Sequence, residues 1–405
     1  MRIAFIHPRF PSAEGTGATH SATQIVTGLA DAGHNICVYC TCPPKECLDA
    51  QGIELRYLGK NSSHPHTDTR LNKEILDRKE ELQDFEIVHS YLPRLIPSIT
   101  QVGKKQGVAT VVTLNAYGGT CAKNSLLYRN KSQCHNKSTL KCLSCITSSG
   151  FKDNENGYMY ETISELLSLR LINSGEARIS NISGFHALSP HVKRSYTEFG
   201  YVDEKIEVIP NILDTRFDLP NSANFMEPFQ LLYVGALKKS KGADRLIDII
   251  SRVSKQSKDC VKLTIIGDGE LRTSIEEEAT TKGVSEIVEI KGQVPYAKLP
   301  KIYASHDLFV YPGRWNEPFG RVFLEAMATG TPIVATDVGS VNDIVENAGI
   351  VSKQSVPDIT ENILDILDRE KLQACSVAGR RQIKKYRISE IIPQFERLYA
   401  DALGY

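Results

Sequence analysis

The chain has 405 residues, 48 of them basic and 48 acidic, so it is too long for one ordinary core and has no net field to draw nucleic acid. No apolar run reaches the length of about 18 residues that a spanning helix needs, and the opening run 1–6 meets His7-Pro8 too early for a signal-peptide core. These totals predict a two-domain cytoplasmic protein and leave peripheral attachment at the cytoplasmic membrane face open.

The elements alternate from the start. A strand over 2–6 leads to Glu14-Gly-Thr-Gly17-Ala18, a glycine loop opening a helix over 19–32. Glycines let backbone approach a ligand and the helix N-terminus favours an anion, although a plain strand-to-helix turn reads equally well. Strands follow over 35–40, 53–58, 87–91 and 109–115, with helices near 70–83 and 93–106 between them. That alternation predicts a parallel, doubly wound sheet. Residues 184–189 and 205–210 add two strands, and the aperiodic, proline-bearing 218–228 reads as a linker.

A second α/β pattern begins with a strand over 230–234 and the turn Gly235-Ala-Leu-Lys-Lys-Ser-Lys241-Gly242. Backbone N–H groups and a cation in such a turn can hold a pyrophosphate; Lys238 and Lys239 fit that role or a solvated one. Another glycine turn, Gly267-Asp-Gly-Glu-Leu271, follows the strand over 261–266, and a strand over 287–292 comes next. The strand over 308–311 stops at Pro312-Gly313. A loop carrying Glu317, a helix from about Phe319 to Gly330 carrying Glu325, and a buried strand over 332–336 come after it. Residues 359–385 read as helical, and the last helix, 388–403, puts Ile391, Phe395, Leu398 and Tyr399 on one face.

The run Trp315-Asn-Glu317-Pro-Phe319-Gly320-Arg-Val-Phe-Leu-Glu325, together with the turns at Gly235, Lys241 and Gly267, resembles the Glu-x7-Glu signature of retaining glycosyltransferases of family 4. The resemblance implies the GT-B fold: α/β, two Rossmann-like doubly wound domains facing each other across a cleft. It implies an acceptor-side domain over 1–217 with a cysteine-rich insertion over 116–157, a nucleotide-sugar domain over 229–385, and a tail, 386–405, packing back on the first domain. It further implies that Glu325 binds ribose hydroxyls, that Glu317 orients the sugar, and that Lys241, Gly235, Gly17, Gly267, Phe319 and Gly320 contribute to the donor site. No cofactor is required for that chemistry.

The implied partners are a nucleoside-diphosphate sugar, with its base and sugar left open, and an anionic glycan or lipid-linked acceptor. The sequence departs from the family at three places. Gly17-Ala18 stands for Gly-Gly, Ala236 for an arginine, and Asn115 for the histidine of a Thr-x-His-Asp context. Asn115 can hydrogen-bond a sugar hydroxyl but cannot take a proton. A nucleotide-sugar epimerase on the same fold, and a non-catalytic nucleotide-sugar-binding partner, are the alternative readings.

Two features of the first half stand apart. Residues 87–152 contain no Asp or Glu but hold Arg94, Lys104, Lys105, Lys123, Arg129, Lys131, Lys137, Lys141 and Lys152. Such a surface suits an anionic lipid or a phosphate-bearing acceptor, or is simply a solvated basic loop. Leu95, Ile96, Ile99 and Val102 would add apolar contact to a membrane or else pack on the sheet. Cys121, Cys134, Cys142 and Cys145 lie in a polar insertion with little local core, the last two spaced Cys-x2-Cys. That spacing suits a structural metal, zinc first and an iron–sulfur cluster second, with free or oxidised thiols as the other reading. Cys37 and Cys40 fall on a strand and read as core thiols.

Overall fold

The computed structural model describes residues 1–8, 10, 17–41, 52–59, 66–129, 132–148, 158–219, 225–257 and 261–405. Residues 14–16 of the glycine loop, Lys131, Lys152 and residues 220–224 of the proposed linker lie outside them. The chain divides into two compact units, Met1–Ile212 with Ile388–Tyr405, and Leu213–Arg387.

In the first unit β1 (Arg2–Ile6), β2 (Asn35–Cys40), β3 (Ile53–Tyr57), β4 (Ile87–Ser90) and β5 (Ala109–Leu114) are followed by a small hairpin, β6 (Leu127–Tyr128) and β7 (Ser132–Gln133). Then come β8 (Gly184–Ala187) and β9 (Ile206–Val208), and the main sheet runs β3-β2-β1-β4-β5-β8-β9 with every pairing parallel. Both faces are covered, which is why its strands are almost continuously apolar. Alternation along β1 sends Ile3 and Phe5 to one core and Ala4 and Ile6 to the other. Cys37 and Cys40 are buried in this sheet as thiols.

The C-terminal helix Ile388–Leu403 completes the Ile3/Phe5 core with Ile391, Phe395, Leu398 and Tyr399, all buried. A chain of side chains beneath it is fully enclosed. Tyr399 Oη lies 2.7 Å from His89 Nδ1, His89 Nε2 lies 2.7 Å from Thr113 Oγ1, and Thr113 Oγ1 lies 3.0 Å from His186 Nδ1. His186 Nε2 ends the chain 2.7 Å from the Ile209 carbonyl, so this ring nitrogen carries the proton and donates. Outside that core, His34 pairs with Glu396 at 2.9 Å and ties the β1–β2 connection to the same helix.

Four elements differ from the periodicity reading. The helix expected over 70–83 is Thr67–Asp77 plus the short Lys79–Leu82, broken where Arg78 leaves helical geometry. The one expected over 93–106 is a 3-10 turn and then only Ile96–Val102, since glycine-rich 103–107 cannot extend it. The polar insertion contains helix Thr139–Ser148, and the unpredicted helix Tyr158–Glu176 follows it. The latter spreads its apolar residues around the helix rather than along one stripe, which removes the 3.6-residue signal.

The second unit contains β10 (Phe229–Val234), β11 (Val261–Ile266), β12 (Val288–Gly292), β13 (Leu308–Tyr311), β14 (Ile333–Thr336) and β15 (Gly349–Ser352). Its sheet is also wholly parallel, in the order β12-β11-β10-β13-β14-β15. Leu231 and Tyr233 of β10 and Leu263 and Ile265 of β11 face helices Leu246–Ser257 and Val356–Ile366 in one core. Both units are thus doubly wound sheets.

The enclosed histidines make the first unit acid-sensitive. Burial holds His89 well below the ordinary imidazole range, with His186 adding to the effect, and burial brings His186 down to about 4. The unfolded chain takes up protons there sooner than the folded one, so their contribution is whole above about pH 6.5 and is lost as pH falls toward the folded values. Urea melts followed by a first-unit probe should lose about 1.4 kcal/mol per pH unit for each histidine below about pH 6.5. A midpoint unchanged between about pH 7 and about pH 5 would refute this.

Candidate functional site

Where strand order reverses in an open parallel sheet, the loops leaving the two adjacent strands diverge and open a crevice at their carboxyl ends. In the second unit that point lies between β10 and β13. The loop after β10 carries Lys241 and the loop after β13 carries Glu317. Lys241 Nζ lies 2.6 Å from Glu317 Oε2, and Tyr311 Oη, at the tip of β13, donates to the same oxygen at 2.6 Å. The Lys241 ammonium also sits 4.6 Å from the centre of the Trp315 ring. Glu317 is only 8% exposed, so these donors replace most of its water.

Backbone stitching holds the two loops together. Arg314 and Trp315 donate their N–H groups to the Ser240 carbonyl at 2.9 and 3.0 Å. The Glu317 carbonyl accepts from both the N–H and the hydroxyl of Ser340, at 2.8 and 2.9 Å. Gly339 lies directly behind it with φ +63°, and a Cβ there would stand 2.3 Å from the Glu317 oxygen. On the neighbouring edge, Leu237 is fully buried and its N–H bonds the Asp268 carbonyl at 3.0 Å. The turns at Gly235 and Gly267 touch, since a Cβ on Gly267 (φ +132°) would lie 1.9 Å from the Gly235 oxygen.

Glu325 occupies a second cluster of the same unit. Helix Arg321–Thr329 starts after Gly320, at φ +82°, and ends at Gly330, at φ +78°. It presents Glu325, 5% exposed, to Tyr296 Oη at 3.0 Å and Tyr303 Oη at 3.3 Å, one phenol to each carboxylate oxygen. Arg321 in turn donates to Tyr296 Oη at 3.3 Å. Burial pushes the Glu325 carboxyl up, while Arg321 and the two phenols oppose that rise. Arg216, held by Asp214 through two contacts of 2.9 and 2.6 Å, stacks 4.8 Å over the Tyr296 ring. Each oxygen of Glu325 keeps a further lone-pair direction for a ligand hydroxyl.

The structure therefore brings Lys241 and Glu317 into direct contact, sets Gly235 against Gly267, and gives Glu325 its own pocket of phenols. The Phe319 side chain is buried edge-on to Tyr386 at 6.0 Å, so it is part of the core. Asn115 and Gly17 belong to the first unit. Asn115 is half-buried at the carboxyl end of β5, and Gly17 is the exposed first residue of helix Gly17–Asp31. The tyrosines 296, 303 and 311, with Arg321 and Arg216, were missed by the sequence reading. The only available signal was Tyr311 ending an apolar strand just before Pro312-Gly313.

The basic window is less free than its composition implies. Acids from outside it fold against it: Asp68 pairs with Arg94 at 3.0 Å, Asp84 with Lys105 at 3.6 Å, and Glu176 with Lys137. Leu95, Ile96, Ile99 and Val102 are all buried against the sheet and offer no membrane contact. Cys121, Cys134, Cys142 and Cys145 are half-buried around one small cavity of the first unit.

The family model described as "Glycosyltransferase Family 4" matches residues 15–217, half of the chain, and "Glycosyl transferases group 1" matches residues 214–382. Alpha-D-kanosaminyltransferase of Streptomyces kanamyceticus is 28% identical over 176 residues, covering 42% of this chain and 45% of that protein. A GDP-mannose-dependent alpha-(1-6)-phosphatidylinositol monomannoside mannosyltransferase of Mycobacterium tuberculosis is 26% identical over 231 residues, covering 53% and 59%. The chain thus matches about half the length of these curated relatives. Among solved structures, Anabaena Alr3699/HepE in complex with UDP superimposes with a TM-score of 0.70 at 16% identity, over 98% of this chain and 99% of that one. That likeness establishes the GT-B fold.

The packing behind Glu317 yields a controlled test. Gly339 and Gly283 are both left-handed, but only Gly339 has backbone within reach of a new Cβ. Gly283→Ala should cost about 1 kcal/mol for the backbone conformation alone, and Gly339→Ala about 1–3 kcal/mol more for the collision. Equal losses of thermal stability in the two variants would show that the Glu317 loop is not clamped as described.

Proposed function

This chain belongs to glycosyltransferase family 4, and from that premise we propose that it transfers a sugar from a nucleoside-diphosphate donor to an acceptor with retention of anomeric configuration. The observation that carries the reading is the Lys241–Glu317 pair at the strand-order reversal of the second unit. It supplies a cation for the diphosphate and a carboxylate for sugar hydroxyls within one contact. Lys241 turns from Glu317 to the incoming phosphate oxygens, and Glu317, held by Tyr311, then accepts from the sugar. Glu325 takes the ribose hydroxyls on the lone pairs that Tyr296 and Tyr303 leave open. The glycine turns at Gly235 and Gly267 let backbone N–H groups approach the diphosphate.

In the reaction, the bond from the anomeric carbon to the diphosphate oxygen breaks and a bond to the acceptor hydroxyl forms on the same face. The acceptor's proton passes to the departing phosphate oxygen, so no protein base is required. Asn115, which cannot take that proton, is then confined to hydrogen-bonding a sugar hydroxyl. Cations near the leaving group stabilise the developing charge. The bound UDP of the Anabaena structure supports a nucleoside diphosphate as the ligand class. The acceptor is anionic, a phosphate-bearing glycan or lipid, drawn by exposed residues such as Lys104, Lys105 and Arg129.

Lys241→Ala and Glu325→Ala should each weaken nucleoside diphosphate binding roughly ten- to a hundred-fold, the worth of a charge-assisted hydrogen bond of about 1.5–3 kcal/mol. Calorimetry on folded variants reads this, and unchanged affinity removes that residue from the site. A donor panel scored for hydrolysis or transfer, for epimer formation, and for binding without turnover separates the transferase from an epimerase and from a binding partner.

The acceptor assignment has its own test. Sedimentation with anionic vesicles should fall for Lys104→Glu/Lys105→Glu. It should also fall for the wild type as salt brings the Debye length below about 8 Å. Equal partitioning to neutral and anionic vesicles, unaffected by charge reversal, would exclude a lipid surface and leave a water-soluble acceptor.

A further inference from the structure

Independently of sugar transfer, we propose that Cys121, Cys134, Cys142 and Cys145 form a tetrathiolate structural site for one zinc ion in the first unit. The thiols arrive from separate stretches of chain: a turn after β5, the end of the β6–β7 hairpin, and helix Thr139–Ser148. The fold nevertheless places all four on the wall of a single cavity of about 30 Å³. That volume suits one or two small species and no organic ligand. The rest of the wall is largely apolar, including Ala122, Leu126, Ile146 and Phe199.

Three further observations agree. First, the backbone N–H of Arg129 points at Cys145 Sγ at 3.2 Å, the kind of N–H···S bond that supports a metal-bound thiolate. Second, Lys137 and Lys141 line the same cavity. Lys123 is on that wall too, and although Glu176 pairs with Lys137, this basic lining lowers the cost of the double negative charge that four thiolates leave around a divalent ion. Third, the segment is strained beyond its first turn, which Arg94 and Tyr196 hold by hydrogen bonds to the Ala122 and Ala116 carbonyls. Asn124, Leu126 and Arg129 all take left-handed backbone, with φ of 55°, 52° and 51°. Asparagine tolerates that conformation, but Leu126 and Arg129 are strained in it.

Against that strain stand a ladder of two residues on each strand and a small cluster built on Ala122, Ile146, Leu169 and Ile172. An ion bonded to all the contributing stretches supplies the missing cross-link. As placed, no three His, Cys, Asp or Glu side chains among the described residues are arranged to hold an ion, so binding includes a closing of the thiols upon the cavity they share.

The test uses the whole chain, purified under reducing conditions without added metal or chelator. Elemental analysis should find about one zinc per chain. It should be lost from Cys142→Ser/Cys145→Ser and kept in Cys375→Ser, whose thiol lies in the second unit. Cobalt exchanged into the site should show the strong visible bands of a tetrahedral tetrathiolate centre. In wild-type protein the four thiols should resist alkylation until a chelator strips the ion, a readout that stands even if the double serine variant fails to fold. Metal-free protein whose four thiols alkylate at once would overturn the proposal. So would disulfides among these cysteines, or iron and sulfide in place of zinc.

Discussion

A glutamate buried to within 8% of full enclosure is tolerable only while a cation and a hydroxyl take the place of its water, and the second unit is built around meeting that condition. Lys241 and Glu317 are separated by 76 positions in the chain and lie on loops leaving different strands. Holding them at 2.6 Å requires that both loops keep their shape. The Ser240 carbonyl, the Ser340 hydroxyl, the absent side chain of Gly339 and the phenol of Tyr311 each serve that one requirement. Removing either charge would strand the other in a low-dielectric site, which is why the pair constrains its surroundings more than an exposed salt bridge would.

The same unit solves the problem differently at Glu325. There no lysine is supplied, and two phenols divide the carboxylate oxygens between them. Burial pushes its protonation upward, and the Arg321 guanidinium and the two phenols offset only part of that rise. Glu317 thus meets an ammonium directly, whereas Glu325 meets two phenols, with the Arg321 guanidinium acting from behind Tyr296.

The first unit relies on neutrality. His89, Thr113, His186 and Tyr399 form one enclosed chain from the C-terminal helix to the Ile209 carbonyl, with no carboxylate in it. Burial keeps both imidazoles uncharged, so the helix is secured by directional bonds that a single proton would disturb. The described part of the cysteine insertion is held differently, by buried hydrogen bonds between Tyr196 and both Ala116 and Gly119 and by a small cluster built on Ala122, Ile146, Leu169 and Ile172.

The sequence by itself determined the alternation of strands and helices, the doubly wound class of both units and the glycine turns at the strand ends. Those features are written in short-range periodicity and in residues such as Gly267 whose backbone no other residue can copy. It also carried the family resemblance, because the Glu317–Glu325 run is contiguous. Helix Tyr158–Glu176 escaped it for want of an apolar stripe, and the acid-free window looked freer than it is because Asp68, Asp84 and Glu176 lie outside that window. Only the tertiary structure decided which charges meet. It set Lys241 on Glu317, turned Tyr296 and Tyr303 onto Glu325 and gathered the four cysteines around one cavity. Contacts between residues far apart in the chain leave no periodic trace along it. They follow from strand order, and strand order is chosen by how the whole sheet buries its two faces.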